Sequence, residues 1–156
     1  MPAPKPAANR AERAAERRGA IIEAAMDEFI ARGFAATRLD DVARRAGVAK
    51  GTIYLHFKDK ESMFEELIRT AIVPLVVRLS SSPPPPGATV RDMVAGFADN
   101  FIKEVATTRR GDIVRLIVAE GPRFPAVADF SYREVVTRGL AGMRALIELG
   151  IACGEI

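Results

Sequence analysis

The sequence has no tryptophan, a single cysteine and a single histidine among its 156 residues. One cysteine, Cys153, excludes an internal disulfide framework and suits a reducing compartment. One histidine, His56, has no second histidine and no cysteine or carboxylate cluster at ligand spacing beside it, so a metal centre is not expected. No nucleophile–base–orienter set and no phosphate loop is legible either, and neither enzymatic activity nor a cofactor is expected. Long hydrophobic runs are also missing. The longest candidate, AIVPLVV, is broken by Pro74 and falls far short of the roughly 20 apolar residues that a membrane span needs. The N-terminal stretch lacks the apolar core of a secretory signal, which makes a cytoplasmic location the expectation.

What the chain does contain is apolar residues at helical spacing. They make up 49% of the composition, against 28% charged residues, a balance that suits a packed globular fold. Ile22, Met26 and Phe29 form one stripe, Leu39, Val42 and Ala43 a shorter one, and Phe64, Leu67, Ile68, Ala71, Ile72 and Leu75 a third. No alternating strand pattern appears, so the expected class is all-α. Residues 1–18 are expected to be a flexible basic arm, residues 19–66 a small helical domain and residues 67–156 a second helical domain. Asp59 is placed to cap the helix that carries Phe64, Pro74 to kink it, and the proline run at residues 80–87 to end it.

Charge is unevenly shared. Through Lys60 there are twelve basic and eight acidic residues, whereas from Glu61 onward acidic residues outnumber basic ones by one. The excess positive charge lies where a polyanion would be met. There, too, two short helices are joined at Gly47 and follow a longer one, the pattern of a helix-turn-helix. The helix starting at Lys50 is the natural recognition helix. Ile53 is needed for packing, which leaves Lys50, Gly51, Thr52 and Tyr54 facing outward near the end that enters a major groove. His56, Lys58 and Lys60 add phosphate-seeking groups just beyond, and Thr37 and Arg38 stand at the start of the preceding helix.

The run TRLDDVARRAGVAKGTIYLHFKDKESMF resembles the DNA-binding signature of the tetracycline-repressor (TetR/AcrR) family. That resemblance implies DNA contacts at Thr37, Lys50, Gly51, Thr52, Tyr54, His56 and Lys60, with Ala49 standing where the family usually has a capping Ser or Thr. It further implies an N-terminal three-helix DNA-binding domain followed by a helical ligand-binding and dimerisation domain. The end, LIELGIACGEI, is similar to the close of the family's seventh helix, so this second domain is expected to be C-terminally truncated, without its final dimerisation helices.

The resulting expectation is a transcriptional regulator, a repressor by default. It would bind a palindromic operator in double-stranded DNA, act as a homodimer in the complete chain, and be released by an unidentified small apolar effector. Leu67, Phe97, Phe101, Ile117, Phe124 and Phe130 are candidates for the effector pocket, although aromatics at helical spacing serve as core residues as well. A helical small-molecule-binding or protein-interaction module without DNA binding is the competing reading.

Overall fold

The computed structural model describes residues 6–81 and 86–156, and their side chains over 10–79 and 86–156. Every regular element among them is helical. The order is α1 (Pro6–Ala36), α2 (Leu39–Ala46), α3 (Lys50–His56), α4 (Lys60–Ala71), α5 (Val73–Ser81), α6 (Val90–Thr107), α7 (Arg109–Glu120), α8 (Pro125–Ser131), a π-helical turn (Tyr132–Val136) and α9 (Thr137–Cys153). The chain divides into two compact units, Met1–Glu66 and Leu67–Ile156.

Residues 1–5 of the expected arm lie outside the described residues, but from Pro6 onward the segment is helical and continuous with α1. Its alanine-rich, Glu/Arg-alternating composition favours helix, which outweighs the missing apolar face. Regular helix stops at Gly33, whose φ of 76° and ψ of 169° suit a residue without a Cβ.

The N-terminal unit is built on an aromatic cluster. Phe29, Phe34 and Phe64 are each almost completely buried, with ring centroids 4.9 to 5.7 Å apart. Edge-to-face pairs of this kind add about 0.5–1.5 kcal/mol to what area burial provides. Ile21, Met26, Val42, Ile53, Phe57 and Met63 complete the apolar interior. Asp59 does cap α4. Its Oδ1 accepts from the Ser62 amide at 2.8 Å, and the Ser62 hydroxyl lies 3.2 Å from the Asp59 amide in return.

In the second unit, helix is interrupted at Ile72, between α4 and α5. Pro74 has no amide to offer the Thr70 carbonyl, while the Ile72 amide still reaches Ile68 at 2.9 Å and the Val76 amide reaches Ile72 at 3.1 Å. Residues 82–85 of the expected proline linker lie outside the described residues. Thr89 and Asp92 form a capping box that starts α6. The last apolar stretch, expected as one helix, contains a wide turn. The amide of Thr137 bonds to the carbonyl of Tyr132, five residues back.

Candidate nucleic-acid interface

Helices α2 and α3 are joined as a helix-turn-helix requires. Gly47 adopts φ 66°, ψ 29° and ends α2, its amide bonding to Arg44, while the amide of Val48 bonds to Ala43 at 3.0 Å. This doubled bonding satisfies carbonyls that a helix end otherwise leaves open. Helix α2 buries Leu39, Val42 and Ala43, and α3 buries Ile53 alone. The remaining residues of α3 are partly or fully accessible. Lys50, Gly51 and Tyr54 are exposed, and Thr52 and His56 are half-buried. Leu55, a residue that the sequence reading passed over, is 84% exposed. Helical phase carried the signal for it, since a residue two positions after buried Ile53 must point away from the interior. Arg38 and Lys58 flank this face and are exposed.

Lys50, Arg44 and Arg45 each have a local partner that sets their availability. Lys50 Nζ lies 2.8 Å from Asp40 Oδ2 and 6.0 Å from the Tyr54 ring centroid. The hydrogen bond that Lys50 donates to Asp40, followed by the charge of Asp40, raises the Lys50 pKa above the ordinary lysine value. Arg44 pairs with Asp41, which also meets Arg32 at 3.2 Å. Arg45, although exposed, reaches back to α1. Its Nε donates to Glu28 Oε1 at 2.7 Å, and its pKa is raised chiefly by that bond. Glu28 is 3% exposed and has Arg32 Nε 2.9 Å from its other oxygen, so the carboxylate ties α1 to α2 from within.

Two of the expected DNA contacts have acceptors within the protein. Thr37 is 2% exposed, and its hydroxyl lies 2.8 Å from the Gly33 carbonyl and 3.2 Å from that of Glu28. With one proton to give, it donates to the nearer oxygen and fastens the start of α2 to the end of α1. Lys60 places its ammonium 3.0 Å from the Phe34 carbonyl, 2.9 Å from that of Ala35 and 4.9 Å from the Phe34 ring. It closes the end of α1, where carbonyls attract a cation. Ala49 gives α3 no side-chain cap, as its lack of a hydroxyl dictates.

The expected effector residues, all in the second unit, divide similarly. Phe101 and Ile117 line a cavity of about 170 Å³ there. Leu67 and Phe130 do not. Leu67 is wholly buried, and Phe130 is 5% exposed beneath Arg69, whose guanidinium carbon lies 5.1 Å from the ring centroid. Phe97 and Phe124 are half-buried outside the lining, Phe97 with its ring 6.5 Å from that of Phe101. Helical periodicity distinguishes inside from outside, but it does not separate a filled interior from a hollow one.

Comparison with known proteins bears on this arrangement. The sequence profile described as "Bacterial regulatory proteins, tetR family" matches residues 21–67, the segment containing α2 and α3. Over 139 residues the chain is 31% identical to the HTH-type transcriptional regulator YdeS of Bacillus subtilis, covering 88% of this chain and 66% of that protein. It is 45% identical over 53 residues to the HTH-type transcriptional repressor KstR2 of Mycobacterium tuberculosis, covering 34% of this chain and 26% of that one. Among solved structures, Salmonella enterica GusR superposes with a TM-score of 0.78 at 25% identity, over 90% of this chain and 71% of GusR. The match thus spans less than two thirds of the length of these curated relatives.

Proposed function

Since the chain belongs to the TetR family of bacterial regulatory proteins, we propose that it regulates transcription by seating α3 in the major groove of an operator. Lys50, Gly51, Thr52, Tyr54 and Leu55 are the residues presented to the duplex. One observation carries this reading: α3 buries only Ile53, so a continuous polar and apolar face is left for base edges and phosphates. Arg38 and Lys58 lie at the margins of that face and take backbone phosphates, which position the reader without selecting sequence. Thr37 and Lys60 support the face from behind. His56, half-buried beside Phe57 with ring centroids 6.3 Å apart, keeps a phosphate contact at the end of α3.

A palindromic operator follows if two copies act together, with their recognition helices about 34–36 Å apart in successive major grooves. Repression is then relieved when an effector in the second unit favours a different spacing, and only to the extent of its differential affinity for the two states. The name of KstR2 as a repressor supports the sign of the regulation.

The test is a random-oligonucleotide selection followed by binding measurements over a range of salt. Recovery of an inverted repeat and a steep loss of affinity with salt are expected. Lys50→Ala and Tyr54→Phe weaken binding of the selected duplex and leave helical content unchanged. Selection that returns no preferred sequence, together with salt-independent binding, removes the proposal.

A further inference from the structure

The cavity of about 170 Å³ in the second unit is walled chiefly by α5, α6, α7 and the π-helical turn, with Leu75, Phe101, Val114, Ile117, Val135 and Val136 among its lining. Its surface is wholly apolar. The polar residues that border it have their partners elsewhere. Glu104 and Arg110 contribute only their carbon chains, because Glu104 Oε1 lies 3.1 Å from Arg78 and its Oε2 lies 3.0 Å from Arg110 Nη1. The Ser131 hydroxyl donates to the Val127 carbonyl at 2.7 Å, and the Gly111 amide donates to the Thr108 carbonyl at 3.0 Å. Among the described residues, then, a molecule held here meets no hydrogen-bond donor, no acceptor and no charge.

Water is a poor occupant of such a space. A buried water needs about two to four polar partners, and an apolar cavity of ~150 Å³ stays dry and takes up benzene or xenon instead. Polar ligands are disfavoured for the same reason, since a hydroxyl carried into the cavity gives up its hydrogen bonds to water and gains none. A carboxylate or an ammonium loses far more. A separate feature marks the wall as a place where the chain departs from regular helix. The π-helical turn sets two successive branched side chains, Val135 and Val136, on the lining, and turns of this kind are rare and concentrate at functional sites. Phe101, Val118 and Val136 are the lining residues most open to solvent, so a small molecule has a way in.

Size narrows the class further, because the volume falls below the roughly 300–1,000 Å³ common for drug-sized ligands. We infer that this cavity binds a small neutral hydrocarbon, one aromatic ring or a saturated body of about six carbons, held by dispersion contacts and by its release from water. Selection is by size and by the lack of polar groups. A role for that hydrocarbon in regulation rests on the reading of the second unit as the effector-binding part of the protein.

The experiment titrates toluene and cyclohexane into the full chain in sealed cells, beside phenol, cyclohexanol and hexanoate, and follows the isoleucine and valine methyl groups by NMR. Both hydrocarbons are expected to shift the methyls of Ile117, Val135 and Val136 and to raise the melting midpoint. They should bind at least about ten-fold tighter than phenol and cyclohexanol, and hexanoate should not bind measurably. Ile117→Trp and, separately, the smaller change Val114→Phe fill the space and should abolish toluene binding with an unchanged circular dichroism spectrum. Phenol that binds as tightly as toluene overturns the assignment of the ligand class. A folded, filled variant that still binds toluene overturns the site, and the ligand series on the unaltered chain decides the matter even if both variants fail to fold. Release of the selected duplex is measured separately. Hydrocarbons that bind without releasing DNA refute the effector reading and leave the binding site standing, whereas hydrocarbons that do not bind at all refute the site.

Discussion

Replacing Thr37 by valine removes a hydroxyl and conserves the side chain's shape, so it separates the two roles open to this residue. In the structure the hydroxyl donates to the Gly33 carbonyl at 2.8 Å from a side chain that is 2% exposed. Valine leaves that carbonyl facing a methyl group. An acceptor stranded in this way costs about 1–3 kcal/mol, and the part-buried setting of this bond places the value near the lower half of that range. For a unit of this size each kcal/mol lowers the melting midpoint by roughly 4–8 °C, so a fall of about 5–15 °C is expected. Thr37→Ser keeps the donor and loses one methyl, which costs about 1 kcal/mol. Thermal unfolding followed by circular dichroism reads both. The same variants are then titrated with the selected duplex well below their midpoints, where affinities within about three-fold of the parent are expected. If Thr37→Val melts like the parent but loses DNA binding ten-fold or more (about 1.4 kcal/mol or above), the hydroxyl belongs to the interface and the fastening role is wrong.

Four further outcomes follow from the same geometry. Asp40→Asn withdraws the carboxylate that competes with phosphate for Lys50; duplex binding at low salt should tighten, and the Lys50 pKa, followed by NMR, should fall toward its ordinary value. Lys50→Ala should lower the slope of log affinity against log salt by about one without moving the melting midpoint. Gly47→Ala meets no atom within 4 Å of the added Cβ, so its cost of about 1–2 kcal/mol comes from the left-handed backbone alone, and Gly47→Asn should cost less in a denaturant titration. Asp59 has its pKa lowered, first by the Ser62 amide. Its capping stability is therefore present above the unfolded aspartate value of about 3.9 and is lost as pH falls through the depressed folded value. Asp59→Ala should destabilise by about 0.5–2 kcal/mol at neutral pH, and the gap to the parent should close as acid unfolding is carried below about pH 4.

How far the sequence could be read depended on how distant each residue's partner is. The cap at Asp59, the turn at Gly47 and the outward face around buried Ile53 involve neighbours within one or two helical turns, and all three were legible. The acceptors of Lys60, Phe34 and Ala35, lie 26 and 25 residues away, where local pattern carries no information, and the turn of the Thr37 hydroxyl back to Gly33 and Glu28 depends on the break in helix at Gly33. The cavity was half legible. Phe101 and Ile117 belong to it, but nothing in periodicity announces that Glu104 and Arg110 converge at its edge, since their meeting depends on how α6 and α7 fold back.

The wide turn at Tyr132–Val136 also has a bearing on how this chain tolerates change. A helix carrying one surplus residue in a single turn can lose that residue and revert to ordinary pitch with its hydrogen bonding intact. Because the surplus is taken up within that turn, excising one residue there leaves the side chains of α9 facing much as they do now, while Val135 and Val136, inside the turn, could no longer both face the hollow they now share. A gene losing one codon at this point would make a protein of nearly unaltered helicity in which only the wall of that hollow had been relined.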